Sequence, residues 1–220
     1  MNATCLTLVL ASSNQGKLRE LRSLLADLPV QVLSARDVLG HSPEIAETGS
    51  TFEENAILKA RAICQATRLV SLADDSGLEV LALAGRPGVR SARFAHDRAT
   101  DAENNAALLN ALEHIDPLER AARFRCVLSL ATPYSSRVQC VDGACDGQIT
   151  RTPRGNGGFG YDPLFIVDGS GGRSMAELTE DEKNLVSHRA EAVRAVKPLI
   201  ATLVREMLSE ASDLVSRYGR

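Results

Sequence analysis

Tryptophan is absent from the 220-residue chain, and aromatic residues make up only 4% of it, so any place where Phe and Tyr gather stands out. A basic excess is also missing. The 25 Lys and Arg are outnumbered by 28 Asp and Glu, for a formal net charge of −3, whereas a binder of nucleic-acid backbone carries surplus positive charge. No apolar run is long enough to span a bilayer. Neither nucleic acid nor membrane is therefore expected as a partner, while small anionic ligands, which need only local positive charge, remain open. The five cysteines, Cys5, Cys64, Cys126, Cys140 and Cys145, are odd in number and no two are spaced C-x-x-C. That argues against a disulfide framework or a zinc site and for reduced thiols in a cytoplasmic protein. The N-terminal stretch lacks the basic n-region of a signal peptide. No repeat, low-complexity segment or linker divides the chain. With 44% hydrophobic residues, the expectation is one domain over 1–220, built as two lobes around a cleft.

What is present reads as an α/β pattern. "CLTLVLAS" (5–12) is a buried strand, followed by an amphipathic helix with Leu18, Leu21, Leu25 and Leu28 three or four apart, and then a strand at "VQVLSA" (30–35). Ser50 or Thr51, with Glu53 or Glu54 three residues on, opens a helix that runs to about Thr67. "LVSLA" (69–73) is a short buried strand ending at Asp74. Thr100–Glu103 and Thr179–Glu182 are further capping boxes. Two long strands, 122–134 and 137–149, flank Ser135-Ser136 as a hairpin. The last forty residues are helical, with Pro198 as a kink or a first turn. A mixed α/β sheet with flanking helices is the fold expected.

Five stretches carry chemistry. "SSNQGK" (12–17) sits between strand and helix, where backbone N–H groups and Lys17 suit a phosphate, although an ordinary capped turn reads equally well. Glu47, Asp74 and Asp75 are oxygen donors of the kind Mg²⁺ takes. For Asp-Asp-Ser-Gly the plain alternative is a turn, and for Glu47 a partner of a helix dipole. Lys59 shares a helix face with Asn55 and gains meaning only near an anion site. "GGFGYDP" (157–163) sets two of the scarce aromatics, Phe159 and Tyr161, among glycines that let backbone approach a ligand. In "EKNLVSHR" (182–189), Lys183, His188 and Arg189 place cations around the start of the last helix, against its macrodipole.

Six stretches in this order, "LASSNQGKLRE", "ETGSTFEENAILKA", "ADDSGLEV", "GRPGVRSARFA", "GGFGYDPLF" and "AELTEDEKNLVSHR", resemble the inosine triphosphate pyrophosphatase family, most closely its bacterial members, over nearly the whole chain. The resemblance implies a Mg²⁺-dependent homodimer that cleaves ITP, dITP and XTP to monophosphate and pyrophosphate. It implies a phosphate site at Ser12, Ser13, Asn14, Gln15, Gly16 and Lys17, assisted by Lys59. Asp75 is then the catalytic acceptor, with Glu47, Asp75 and Asp74 as the metal set and Ser76 against the substrate. Phe159, Gly160, Tyr161, Asp162, Lys183, His188 and Arg189 resemble the nucleoside pocket. Two rival readings remain: a pyrophosphatase of modified pyrimidine or methylated nucleotides, like the Maf group, and a non-enzymatic nucleotide- or RNA-binding module.

Overall fold

A computed structural model describes residues 5–218, with side chains through Ser209. Six strands form one sheet in the order β2-β1-β3-β4-β5-β6: β1 (Leu6–Ala11), β2 (Val30–Ser34), β3 (Val70–Val80), β4 (Ala121–Ala131), β5 (Gln139–Ile149) and β6 (Phe165–Val167). The first three are parallel, and β4, β5 and β6 continue antiparallel. The helices are α1 (Gln15–Leu24), α2 (Ala35–Leu39), α3 (Phe52–Thr67), α4 (Asp101–Ala111), α5 (Glu180–Val186) and α6 (His188–Tyr218). Among the described residues, no helix is long and apolar enough to cross a membrane.

The capping residues set the helix starts. Asn14 accepts from the Lys17 N–H at α1, and Thr51–Glu54, Thr100–Glu103 and Thr179–Glu182 form reciprocal capping boxes at α3, α4 and α5. Pro198 lies inside α6 rather than in its first turn. The hairpin is as expected, but its turn covers the whole of 132–138.

The expected turn at Asp-Asp-Ser-Gly is not there. β3 runs eleven residues, from Val70 through Asp74 and Asp75 to Val80, and pairs with β4 from Ser71↔Ala131 to Val80↔Ala122. Alternation along β3 explains how a strand tolerates the pair. On one face, Val70 and Leu72 enter a core shared with α1 and α6, whereas Leu78 and Val80 enter a second core with Tyr161, Leu164 and Phe165. Asp74 and Ser76 fall in the gap between these cores. β4 repeats the division, with Cys126, Leu128 and Leu130 in the first core and Ala122 and Phe124 in the second. The two lobes are thus two cores on one continuous sheet, and the cleft is the polar break between them. On the opposite face, Ala73 packs with α3 residues Ala60 and Ile63. β1 stops at Ala11, opposite Ala73, so β3 carries its two aspartates past the end of its parallel neighbour. That leaves room for the 12–14 loop at the carboxyl end of a strand, where α/β sheets bind ligands.

Candidate active site

Asp74 and Asp75 point to opposite faces and meet different partners. Asp74 is walled in. Its Oδ1 takes the Lys17 ammonium at 2.7 Å and the Ser76 hydroxyl at 2.7 Å, and its Oδ2 takes Arg189 Nε at 2.7 Å and the Cys126 thiol at 3.3 Å. Burial alone would push this carboxyl up, but the Arg189 and Lys17 cations overcome it and hold Asp74 well below the usual carboxylate range. Asp75 faces α3, where its Oδ1 lies 2.6 Å from Lys59 Nζ. Here burial wins: the Asp75 carboxyl sits above its ordinary value, with Lys59 and Lys17 offsetting only part of the desolvation. Burial also works against the Lys59 ammonium, but Asp75 and Glu47 together raise it.

The second carboxylate on Lys59 is Glu47, whose Oε1 is 3.2 Å from the same Nζ. Two hard oxygen donors from two segments therefore converge on the Lys59 ammonium, and they are donors of the kind a divalent cation takes. Among the described residues no group of three His, Cys, Asp or Glu side chains gathers as a metal cluster. Two carboxylates completed by water and substrate phosphates are the usual Mg²⁺ pattern. Asp74 fits this role less well than the sequence suggested, because both its oxygens are already taken by protein donors.

Two cavities open beside Asp74 and Ser76 and share Asn14, Lys17 and Ala92, while Asp75 lines neither. One, about 630 Å³, is lined by Ser12, Ser13, Lys17, Glu47, Lys59 and Asp74. Lys17 and Lys59 are the cations a polyphosphate requires, and they stand there among the acids Glu44, Glu47 and Asp74. The other, about 100 Å³, lies between the two cores and is lined by Ser76, Phe159, Tyr161, Lys183, His188 and Arg189, among others. Gly16 backs the aromatic wall of the smaller cavity: a Cβ there would lie 2.5 Å from the Phe159 ring. The Lys183 ammonium and the Arg189 guanidinium sit 5.1 and 5.7 Å from the centre of that ring. His188 stacks on Phe124 at 4.8 Å, and its buried Nδ1 has no hydrogen-bond partner among the described residues. Burial, reinforced by Arg189, lowers His188 well below the usual imidazole range, so it is neutral. The cations that opened α6 against its dipole are resolved in this way: the imidazole is uncharged, and Arg189 is neutralised by Asp74 and Glu20.

Most of the predicted residues come together here. Gln15 does not: it is exposed and its amide turns back to the Ser13 carbonyl. Asp162 is buried and accepts from Lys183 at 2.5 Å and from the Phe159 N–H at 2.9 Å, so it shapes the aromatic loop. Glu20 was missed by sequence reasoning. It binds Lys183 at 2.6 Å as well as Arg189, which ties α1 to α5 and α6. Its spacing of three from Lys17 on an amphipathic helix was the available signal. A further depression of about 550 Å³ between α3 and the β4–β5 turn holds none of the predicted residues.

An elongated polyanion with a flat head fits such a pair of joined compartments, which is the shape of a nucleotide. The chain belongs to the Ham1 family, whose model matches residues 8–199. It is 50% identical to a dITP/XTP pyrophosphatase of Syntrophobacter fumaroxidans over 212 residues, 96% of this chain and 89% of the relative. A dITP/XTP pyrophosphatase of Bacillus licheniformis is 45% identical over 192 residues, 87% of this chain and 96% of the relative. The solved structure of a HAM1 protein from Coxiella burnetii matches with a TM-score of 0.80 at 44% identity, covering 90% of this chain and 99% of the other.

Proposed function

We infer that this chain is a nucleoside triphosphate pyrophosphatase that hydrolyses deaminated purine nucleotides, ITP, dITP and XTP, to the monophosphate and pyrophosphate. The observation that carries the reading is the junction itself. A compartment lined by Lys17 and Lys59, with Asp75 behind Lys59, adjoins a smaller pocket lined by Phe159, Tyr161, His188 and Arg189.

The chemistry follows from the side chains. A water oxygen bonds to the α-phosphorus, the bond from that phosphorus to the bridging oxygen breaks, and pyrophosphate departs. Asp75 accepts the water's proton. Lys17 and Lys59 meet the phosphate oxygens, as cations aimed at developing charge do in phosphoryl transfer. Bound Mg²⁺, held by Glu47 and Asp75, would neutralise charge on the leaving group. Asp74 holds Lys17 and Arg189 in place. In the small pocket, Arg189 or a backbone N–H donates to the 6-keto oxygen. A 6-amino group would bring donor against donor, a buried mismatch that selects strongly.

The reading extends to one domain over 1–220, working as a cytoplasmic homodimer. The single sheet through both cores supports the first of these, and the family resemblance supports the rest. A substrate panel tests the function: pyrophosphate release from dITP and XTP, with and without Mg²⁺, is expected to exceed that from dATP, dTTP and UTP. Equal or slower cleavage of dITP and XTP would favour a Maf-like specificity, and no Mg²⁺-dependent release from any of them would favour a binding module.

A further inference from the structure

Helix α4 supplies Asp101 and Asn104 to the lining of the small pocket and grips both of its walls. Asn104 is buried, at 3% exposure. Its Oδ1 accepts from the Ala95 N–H at 3.0 Å, and its Nδ2 donates to the Ala92 carbonyl at 3.1 Å. Those bonds fix the 3₁₀ segment Gly88–Arg93, of which Ala92 lines the pocket. The next residue holds the other side. Asn105 Nδ2 donates to the Gly160 carbonyl at 3.0 Å, and Asp101, one turn earlier, accepts the Gly160 N–H at 2.7 Å. Gly160 belongs to the aromatic loop and lines the same pocket. The walls also touch directly, through the Tyr161 hydroxyl and the Ser91 carbonyl at 2.9 Å.

Asn105 carries a second clue. Its Oδ1 is buried and has no hydrogen-bond partner among the described residues. A stranded acceptor works against folding, so stability alone does not explain an amide here. Local rules are broken where a site needs them broken.

We propose that α4 works as a calliper on the nucleobase pocket, with Asn104 and Asn105 as positioning residues that hold the Ala92 and Gly160 walls at a fixed gap and so set discrimination between 6-keto and 6-amino purines. A donor aimed at the 6-position selects only if the base cannot slide. Residues that clamp both walls from one helix remove that freedom, Asn104 from within the pocket lining and Asn105 from behind it.

The proposal rests on the purine-nucleotide reading, and the test separates the two. Binding of IMP and AMP is measured by calorimetry without Mg²⁺ on the wild type, on Asn105→Asp, which is isosteric but loses the Gly160 donor, and on Asn104→Asp, which keeps the Ala95 acceptor and loses the Ala92 donor. Melting temperature is followed in each. If the wild type binds IMP no better than AMP, the functional reading fails and the calliper with it. Given that preference, each variant is expected to lose about tenfold in IMP affinity, the worth of one well-made hydrogen bond, with little change for AMP. The IMP:AMP ratio should then fall while kcat for dITP stays near wild type as KM rises. Asn105→Ala, which also removes the stranded acceptor, should lose the ratio with a smaller drop in melting temperature than Asn104→Ala. IMP affinity unchanged in both aspartate variants, or an equal loss for IMP and AMP, would overturn the proposal.

Discussion

Asp74 and Asp75 are adjacent in sequence and share a strand, yet they live in opposite electrostatic worlds. Asp74 faces α1 and α6, where four donors fill its oxygens and its charge is fixed. Asp75 faces α3, where one lysine is its partner and burial keeps its carboxyl easier to protonate. The pleat makes this separation, since a period of two sends neighbours to opposite sides. One carboxylate is spent on holding cations in place. The other is left able to take a proton.

The comparison breaks most visibly at Asp75. Asp75→Asn should lower kcat for dITP by about 10²–10⁴-fold, the range for a lost general base, with little change in urea midpoint because Lys59 keeps Glu47. Near-normal turnover in that variant would remove Asp75 from the chemistry. Asp74→Asn should show the reverse emphasis. It leaves buried Arg189 with a weakened counter-ion set, and breaking such a pair costs about 3–5 kcal/mol in urea unfolding. If Asp74→Asn were as stable as wild type but inactive, the division of labour would be inverted.

A finer cut comes from pH. Lys59 lowers the Asp75 carboxyl against the larger effect of burial. Removing it with Lys59→Met should therefore move the acid limb of kcat/KM to higher pH, and a stationary limb would mean that another group sets it. The smallest effect concerns His188, on the Asp74 side. Its folded imidazole titrates below the unfolded one. Below about pH 6.5 the unfolded chain takes up a proton that the folded chain refuses, so stability falls with falling pH by about 1.4 kcal/mol per unit. His188→Gln should flatten that slope in denaturant melts between pH 6.5 and 5.

Much of this was legible in the residues. Capping boxes and apolar spacing located α1, α3, α4 and α5, because both signals are local. The length of β3 was not legible. Asp, Ser and Gly favour turns, and only pairing with a strand fifty residues away, together with cations from positions 17 and 189, turns them into a strand interior. α2 went unread although Ser34 and Asp37 cap it, since five residues give little periodicity to see. The site residues themselves were visible as six ordered stretches. Their wiring through Glu20, and the grip of α4 on the pocket, depend on contacts between distant segments that no window of sequence contains.

β3 and β4 pass without interruption from one core, across the cleft, into the other. Two lobes joined by a linker would open like a book, with slack at the spine. Here the spine is ten paired positions of sheet, so the lobes can part only by torsion of the strands themselves. The backbone amide of Asp75 lies in the middle of that ladder and should exchange with solvent as slowly as those of the cores on either side. The reacting centre is then the stiffest part of the cleft, and whatever gives way to admit a nucleotide lies in the loops that approach it.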